Sequence, residues 1–438
     1  MSSPDTTPGA ADLFPFHALR ASTPVLAAVL AFPMVAAVVA LAAPRLAVLQ
    51  HGSPVVLAAN HLVTLGWGTL VAIGALHQML PAVAGVRRDL SPLLAVQVTV
   101  HLGGVVLLAA GFMTGSLPLQ TSGGTAVVLS VLATLGIGAR TVRQRRRALP
   151  VLRYAAAAMA SLGAAVIWGL ILALNRRLAF WPWMLRPAGL NVHLTLGLIG
   201  WFGFLIVGMS YYLLPRFANR SAPSPGHPGP VFVGLAAAMV ALLGATAWPG
   251  LAQAGLLLLG ATGALYAADL FHLVSEWRTR ARDIARAHWW VLMIETALLS
   301  MGTVVAALDG LPGLPLRWAV AGVTLFLLGW VTLAITGQAY KVTPFLMWYY
   351  RFSVGLSALD VPRLDAPYWP RVAVAPFILL TCAAPVVALG VLLAEPRLCR
   401  AGGVAYLAGA MLFAFGMGYS WLPVLWRGRR ARAAAEAG

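Results

Sequence analysis

Twelve apolar runs, each close to the length of about 20 residues that a helix needs to cross hydrocarbon, take up most of this 438-residue chain. Their limits fall near 23–43, 54–80, 92–113, 123–139, 151–174, 190–215, 230–247, 251–274, 288–308, 316–340, 372–394 and 402–424. Runs of this kind constrain the fold severely. Within lipid every backbone N–H and C=O must be paired inside the segment, so each run becomes a helix. The composition agrees, at 60% apolar and 10% charged, and excludes an ordinary soluble core. The chain therefore reads as an all-α, polytopic membrane protein surrounded by membrane lipid. Residues 1–22 form an N-terminal tail, 23–425 the twelve-span domain and 426–438 a basic C-terminal tail. The longest stretch between spans, 341–371, carries Trp348, Tyr349 and Tyr350 and reads as an interfacial segment. The stretch 175–189 reads the same way.

A short pattern recurs inside three of the runs. Gly-Trp-x6-Gly-x6-Pro occurs at Gly66 to Pro81, at Gly200 to Pro215 and at Gly329 to Pro344. Its leading glycines are 134 and 129 residues apart (66 to 200, 200 to 329). On a helix the two glycines and the proline fall within about 80° of one another. A narrow glycine stripe lets a neighbouring helix approach closely in a membrane. The copies lie on spans two, six and ten, so the pattern predicts a threefold repeat of four helices.

The formal net charge of +18 is a topology signal, not a nucleic-acid footprint. Arg87 and Arg88 follow span two. Arg140, Arg143, Arg145, Arg146, Arg147 and Arg153 lie around the connection from span four to span five. Arg216 and Arg220 follow span six, and Arg278, Arg280, Arg282 and Arg286 lie between spans eight and nine. Lys341, Arg351 and Arg363 follow span ten; Arg427, Arg429, Arg430 and Arg432 follow span twelve. The opposite connections are poorer, holding Arg45, Arg176, Arg177, Arg186, Arg317, Arg397 and Arg400. The positive-inside rule then predicts a bacterial-type inner-membrane protein with both termini in the cytoplasm. Residues 1–20, with Asp5 and Asp12, do not read as a cleavable leader, so the first run is expected to remain as a span. Cys382 and Cys399 form no CxxC, which supports neither a disulfide framework nor a thiolate metal site.

Histidine is where chemistry would reside. His17, His51 and His227 fall outside the spans; His77, His272 and His288 lie toward span ends. His61, His101 and His193 lie within spans, where an ionisable group is costly and marks a functional candidate. The plainer alternative is a neutral imidazole that donates to a carbonyl and ties helices together. His61 and His193 precede their Gly-Trp pairs by five and seven residues, which puts both in the outer half of the membrane. Neutral imidazole is the commonest protein ligand for haem iron and copper. His61, His193 and His101 are thus the candidate ligands for a haem b or a copper ion.

Twelve spans, a threefold repeat, internal termini and outer-half histidines on spans two and six together resemble subunit I of the haem-copper oxidase superfamily, which includes the nitric oxide reductases. The resemblance implies a low-spin haem ligand at His61 and a copper ligand at His193. It implies a redox or respiratory role, with an electron donor or a sister respiratory subunit as partner. The departures are specific. The family carries a His pair on span seven and two His on span ten, whereas residues 230–247 and 316–340 contain none. Aligned on the repeat, the first ligand position reads His61, Thr195, Thr324, and the second reads Ala59, His193, Gly322. Hydroxyls substitute poorly for imidazole on either metal, so full oxygen-reducing chemistry is not expected.

Carboxylates support a rival reading. Asp269, His272 and Glu276 are spaced i, i+3, i+7 at the end of span eight and are expected on one face. Glu295 lies well inside span nine. Asp269, His272 and Glu295 are candidate proton relays, as a proton-coupled transporter would need. A ligand-binding sensor without metal is a third class.

Overall fold

The computed structural model describes residues 18–86, 91–145, 149–218, 226–277, 283–308, 316–352 and 372–436. Arg87, Arg88, Arg146, Arg147, Arg220, Arg278, Arg280, Arg282 and Arg363, His17, most of the N-terminal tail and the 353–371 part of the interfacial segment lie outside them. Twelve helical rods are present, and there is no strand among the described residues. Spans one to six are Pro24–Ala47, Pro54–Pro81, Leu93–Thr114, Leu117–Arg143, Pro150–Arg176 and Pro187–Phe217. Spans seven to twelve are Pro228–Gly244, Leu251–Ser275, Ile284–Leu308, Leu316–Thr343, Val374–Leu392 and Pro396–Tyr419. Eleven are long and apolar enough to cross a membrane; the seventh has 17 residues. The protein is an all-helical polytopic membrane protein.

Proline marks the starts. Pro54, Pro150, Pro187 and Pro228 each sit in the first turn of a span. There the missing N–H would have no intrahelical partner anyway, and the fixed φ suits the helix. Two helices outrun their apolar runs. Span ten continues through Phe352, and span twelve continues to Glu436 across the expected basic tail. Hydropathy marks where a helix leaves hydrocarbon, whereas Ala, Arg and Leu carry the helix itself onward.

The threefold repeat is visible in the packing. More than half of the central window of spans two, six and ten is buried, at 56, 67 and 61%, against 33–44% in the other long spans. Those three rods form the inner layer, and the others surround them. Each inner rod packs on the first helix of its own unit: one on two, five on six, nine on ten. The units are joined by spans four and five, eight and nine, and twelve and one.

All three copies of the Gly-Trp pattern open into π-helix, at Leu62–Thr69, Thr195–Gly203 and Leu325–Val331. π-helical turns displace backbone carbonyls from their usual partners, and in a membrane those carbonyls need others. Thr332 Oγ1 donates to Leu327 O at 3.0 Å, and His101 Nε2 donates to Leu65 O at 3.0 Å. The tryptophans are buried, with Trp67, Trp201 and Trp330 at 0, 1 and 4% exposure. Trp201 Nε1 donates to Thr69 Oγ1 at 3.0 Å and ties span six to span two. Trp330 Nε1 donates to Thr296 Oγ1 at 2.9 Å and ties span ten to span nine. Trp67 stacks on Phe32 of span one, with ring centres 4.1 Å apart.

Candidate functional site: a facing imidazole pair

His61 is the last α-helical residue before the first π-turn, and His193 stands two residues before the second. Spans two and six are both even-numbered and run in the same direction, so both imidazoles lie at one depth, in the first third of their rods. The packing of the inner layer turns them toward each other. Their ring centres are 6.2 Å apart and their planes differ by 22°. Phe112 of span three covers His61 at 4.8 Å. Gly169 of span five makes room for His193, since a Cβ there would stand 2.8 Å from His193 Cε1.

The backbone fixes both tautomers. His61 Nδ1 faces Leu57 O at 2.8 Å, and His193 Nδ1 faces Ala165 O at 3.1 Å. A carbonyl only accepts, so each Nδ1 carries the proton and each Nε2 keeps its lone pair. Neither Nε2 has a hydrogen-bond partner among the described residues. An Nδ1–H anchored on a carbonyl is the arrangement that orients a metal-ligating imidazole and raises its basicity.

His101 does not join the pair. It is fully buried on span three, but its Nε2 is occupied by the Leu65 carbonyl of the first π-turn. Its Nδ1 is buried without a partner. The three candidate ligands thus divide into a facing pair and a histidine that braces the π-turn. No group of three or more His, Cys, Asp or Glu that could hold a metal is present among the described residues.

The carboxylates are placed differently from the shared face expected of Asp269, His272 and Glu276. Asp269 is 1% exposed and turns inward, while His272 and Glu276 are exposed. Asp269 and Glu276 stand only about 20° apart around the helix, and what exposes Glu276 is its place two turns further on, at the helix C-cap. Asp269 accepts from the His227 backbone N–H at 2.8 Å, from His227 Nδ1 at 2.9 Å and from the Tyr211 hydroxyl. Its partners come from another span and from a loop 42 residues away. Glu295 is 3% exposed, and neither carboxyl oxygen has a hydrogen-bond partner among the described residues.

Sequence reading missed Phe112 and Gly169 beside the pair, and His227 on Asp269. Phe and Gly are too common in such a chain to stand out, and His227 reads as a solvated loop residue. The fold and this imidazole pair define the class: a helical membrane protein of three four-helix units with a two-histidine site between the first two. No protein-family model matches the chain, and no curated protein matches it significantly.

Proposed function

We propose that this protein binds copper or the iron of a b-type haem through His61 and His193, on a haem-copper-oxidase-like scaffold without the full oxygen-reducing centre. The observation that carries the reading is the pair itself: two imidazoles from separate spans, each anchored through Nδ1, with both Nε2 lone pairs uncommitted. Two neutral imidazoles with no thiolate or carboxylate suit copper and haem iron. A three-histidine copper does not fit the described residues, which argues for a binding, electron-transfer or gas-sensing role and against turnover.

Bound there, the metal would supply one-electron chemistry or a place for a diatomic gas. The chain's own residues hold the two imidazoles in one tautomer, and Phe112 limits access of water to His61. With the Arg-rich connections in the cytoplasm, the pair lies toward the outer side, where an external electron donor or a sister respiratory subunit would reach it. Glu295 supports the second reading, proton-coupled transport, because an unpartnered carboxyl inside a span is otherwise hard to account for.

A reduced-minus-oxidised visible spectrum with metal analysis of the purified protein tests the proposal. Haem bands or stoichiometric copper are expected, and His61→Ala or His193→Ala should each abolish them. A colourless, metal-free protein from cells replete in haem and copper would overturn the proposal and favour transport.

A further inference from the structure

The three units pack alike, and that likeness isolates one place where the third unit differs. In units two and three the first helix lies on both glycines of the second, whereas in unit one it lies on Gly74 and Gly66 faces Val105 of span three. In unit two, a Cβ on Gly208 or on Gly200 would run into Tyr154 or Ser161. In unit three, a Cβ on Gly337 or on Gly329 would run into His288 or Glu295. Tyr154 and Ser161 are seven residues apart, as are His288 and Glu295 (161 − 154 and 295 − 288). In unit one, Gly74 meets Val25. Seven residues on, Phe32 stacks over Trp67. The two register positions therefore read Val25, Tyr154, His288 and Phe32, Ser161, Glu295. At these two register positions only the third unit carries an imidazole and a carboxyl.

Neither group is satisfied as a bystander would be. His288 is fully buried between Tyr340 and Phe377; its Nδ1–H donates to Ile284 O at 2.7 Å, and its Nε2 has no partner among the described residues. Both oxygens of Glu295 are buried without a donor among the described residues. Among the described residues, the charged groups on the surrounding elements are committed elsewhere or turned away. Asp283 pairs with Lys341 at 2.5 Å, and Arg286 Nε donates to Val274 O at 3.2 Å. Asp269 is held by His227 and Tyr211, while His272 and Cys382 are exposed. An ionised carboxylate with neither donor nor counter-charge inside a span costs several kcal/mol. A Ca²⁺ or Mg²⁺ ion would need six or more oxygens. The neighbouring Thr296 hydroxyl already donates to Leu292 O and accepts from Trp330, and Thr332 is bonded to Tyr406.

We infer that the seam between spans nine and ten is a two-station proton site, with Glu295 carrying a proton as a carboxylic acid and His288 Nε2 as the acceptor through which it exchanges. The stations are too far apart for direct transfer, so each exchange runs through water admitted to the seam: Glu295 gives H⁺ to water and becomes a transient carboxylate, and water gives H⁺ to His288 Nε2, which becomes imidazolium; no electrons move. The stations are about 10 Å apart along the helix. His288 is the one nearer the Asp283–Lys341 pair, at the end of span nine that leads out of the membrane. This site is separate from the His61–His193 pair, so either can fail without the other.

Infrared spectroscopy of the purified full-length protein tests it. At neutral pH a protonated-carboxyl stretch should be present and should vanish in Glu295→Gln. Carbodiimide labelling of the wild-type protein, mapped by peptide mass spectrometry, should mark Glu295 independently of that variant. Exchange of the carboxyl proton for deuterium should slow by about an order of magnitude or more in His288→Asn, which keeps the donor to Ile284 and removes Nε2. Absence of both the stretch and the label at Glu295 would overturn the inference. So would an exchange rate unchanged in His288→Asn.

Discussion

Close packing at the repeat glycines is the structural claim most open to quantitative attack, and Gly200 is the place to attack it. A Cβ built there stands 2.5 Å from Ser161 Cβ, whereas carbon atoms in contact prefer about 3.5–4.0 Å. The overlap of about 1 Å involves the root of a side chain, which cannot swing away as a flexible tip can. Overpacking by one methyl costs about 1–3 kcal/mol, and Gly→Ala within a helix returns up to about 1 kcal/mol in propensity. Gly200→Ala should therefore destabilise by up to about 2 kcal/mol net of a full propensity gain. Gly197 lies in the same π-turn and would meet nothing within 4 Å. Gly197→Ala thus carries the propensity gain without the clash and should be neutral or mildly stabilising. Ser161→Gly removes the obstructing atoms, so Gly200→Ala made in that background should lose most of its penalty. The double-mutant cycle should show a coupling of about 1–2 kcal/mol. Reversible unfolding in mixed micelles reads all four proteins. Equal stabilities for Gly197→Ala and Gly200→Ala within about 0.5 kcal/mol, or no coupling to Ser161, would refute the reasoning.

Other expectations follow from the same packing. Thr69→Val keeps the shape of Thr69 but leaves Trp201 Nε1 without its acceptor, and should cost about 0.6 kcal/mol and at most about 1.7 in the same unfolding measurement. Reporter fusions after residues 146 and 430 should both read cytoplasmic; an external reading at either would reverse the orientation or change the helix count. The purified chain should show negligible oxygen or nitric oxide consumption with an artificial electron donor, and rapid cyanide-sensitive turnover would show that histidines beyond His61 and His193 hold a metal.

The sequence by itself determined the elements. Apolar length fixed twelve helices near their observed positions, because the cost of bare backbone in lipid is a local constraint that composition satisfies or fails. The Gly-Trp pattern singled out spans two, six and ten, since a glycine stripe is written at a spacing the helix preserves. It also flagged His61, His101, His193 and Glu295, because polar groups in such runs are few. What the sequence did not contain was lateral placement. Whether a histidine at a given depth faces a second histidine or a π-turn carbonyl depends on how rods rotate against one another. That rotation is set by contacts between residues far apart in the chain: Trp201 on Thr69, Phe202 beside Gly68, Trp67 on Phe32. The same tertiary packing separated His101 from the pair, turned Asp269 to His227 and away from His272, and aligned Glu295 with Ser161. Helical periodicity locates a residue on its own rod, and only the packed bundle decides what stands opposite.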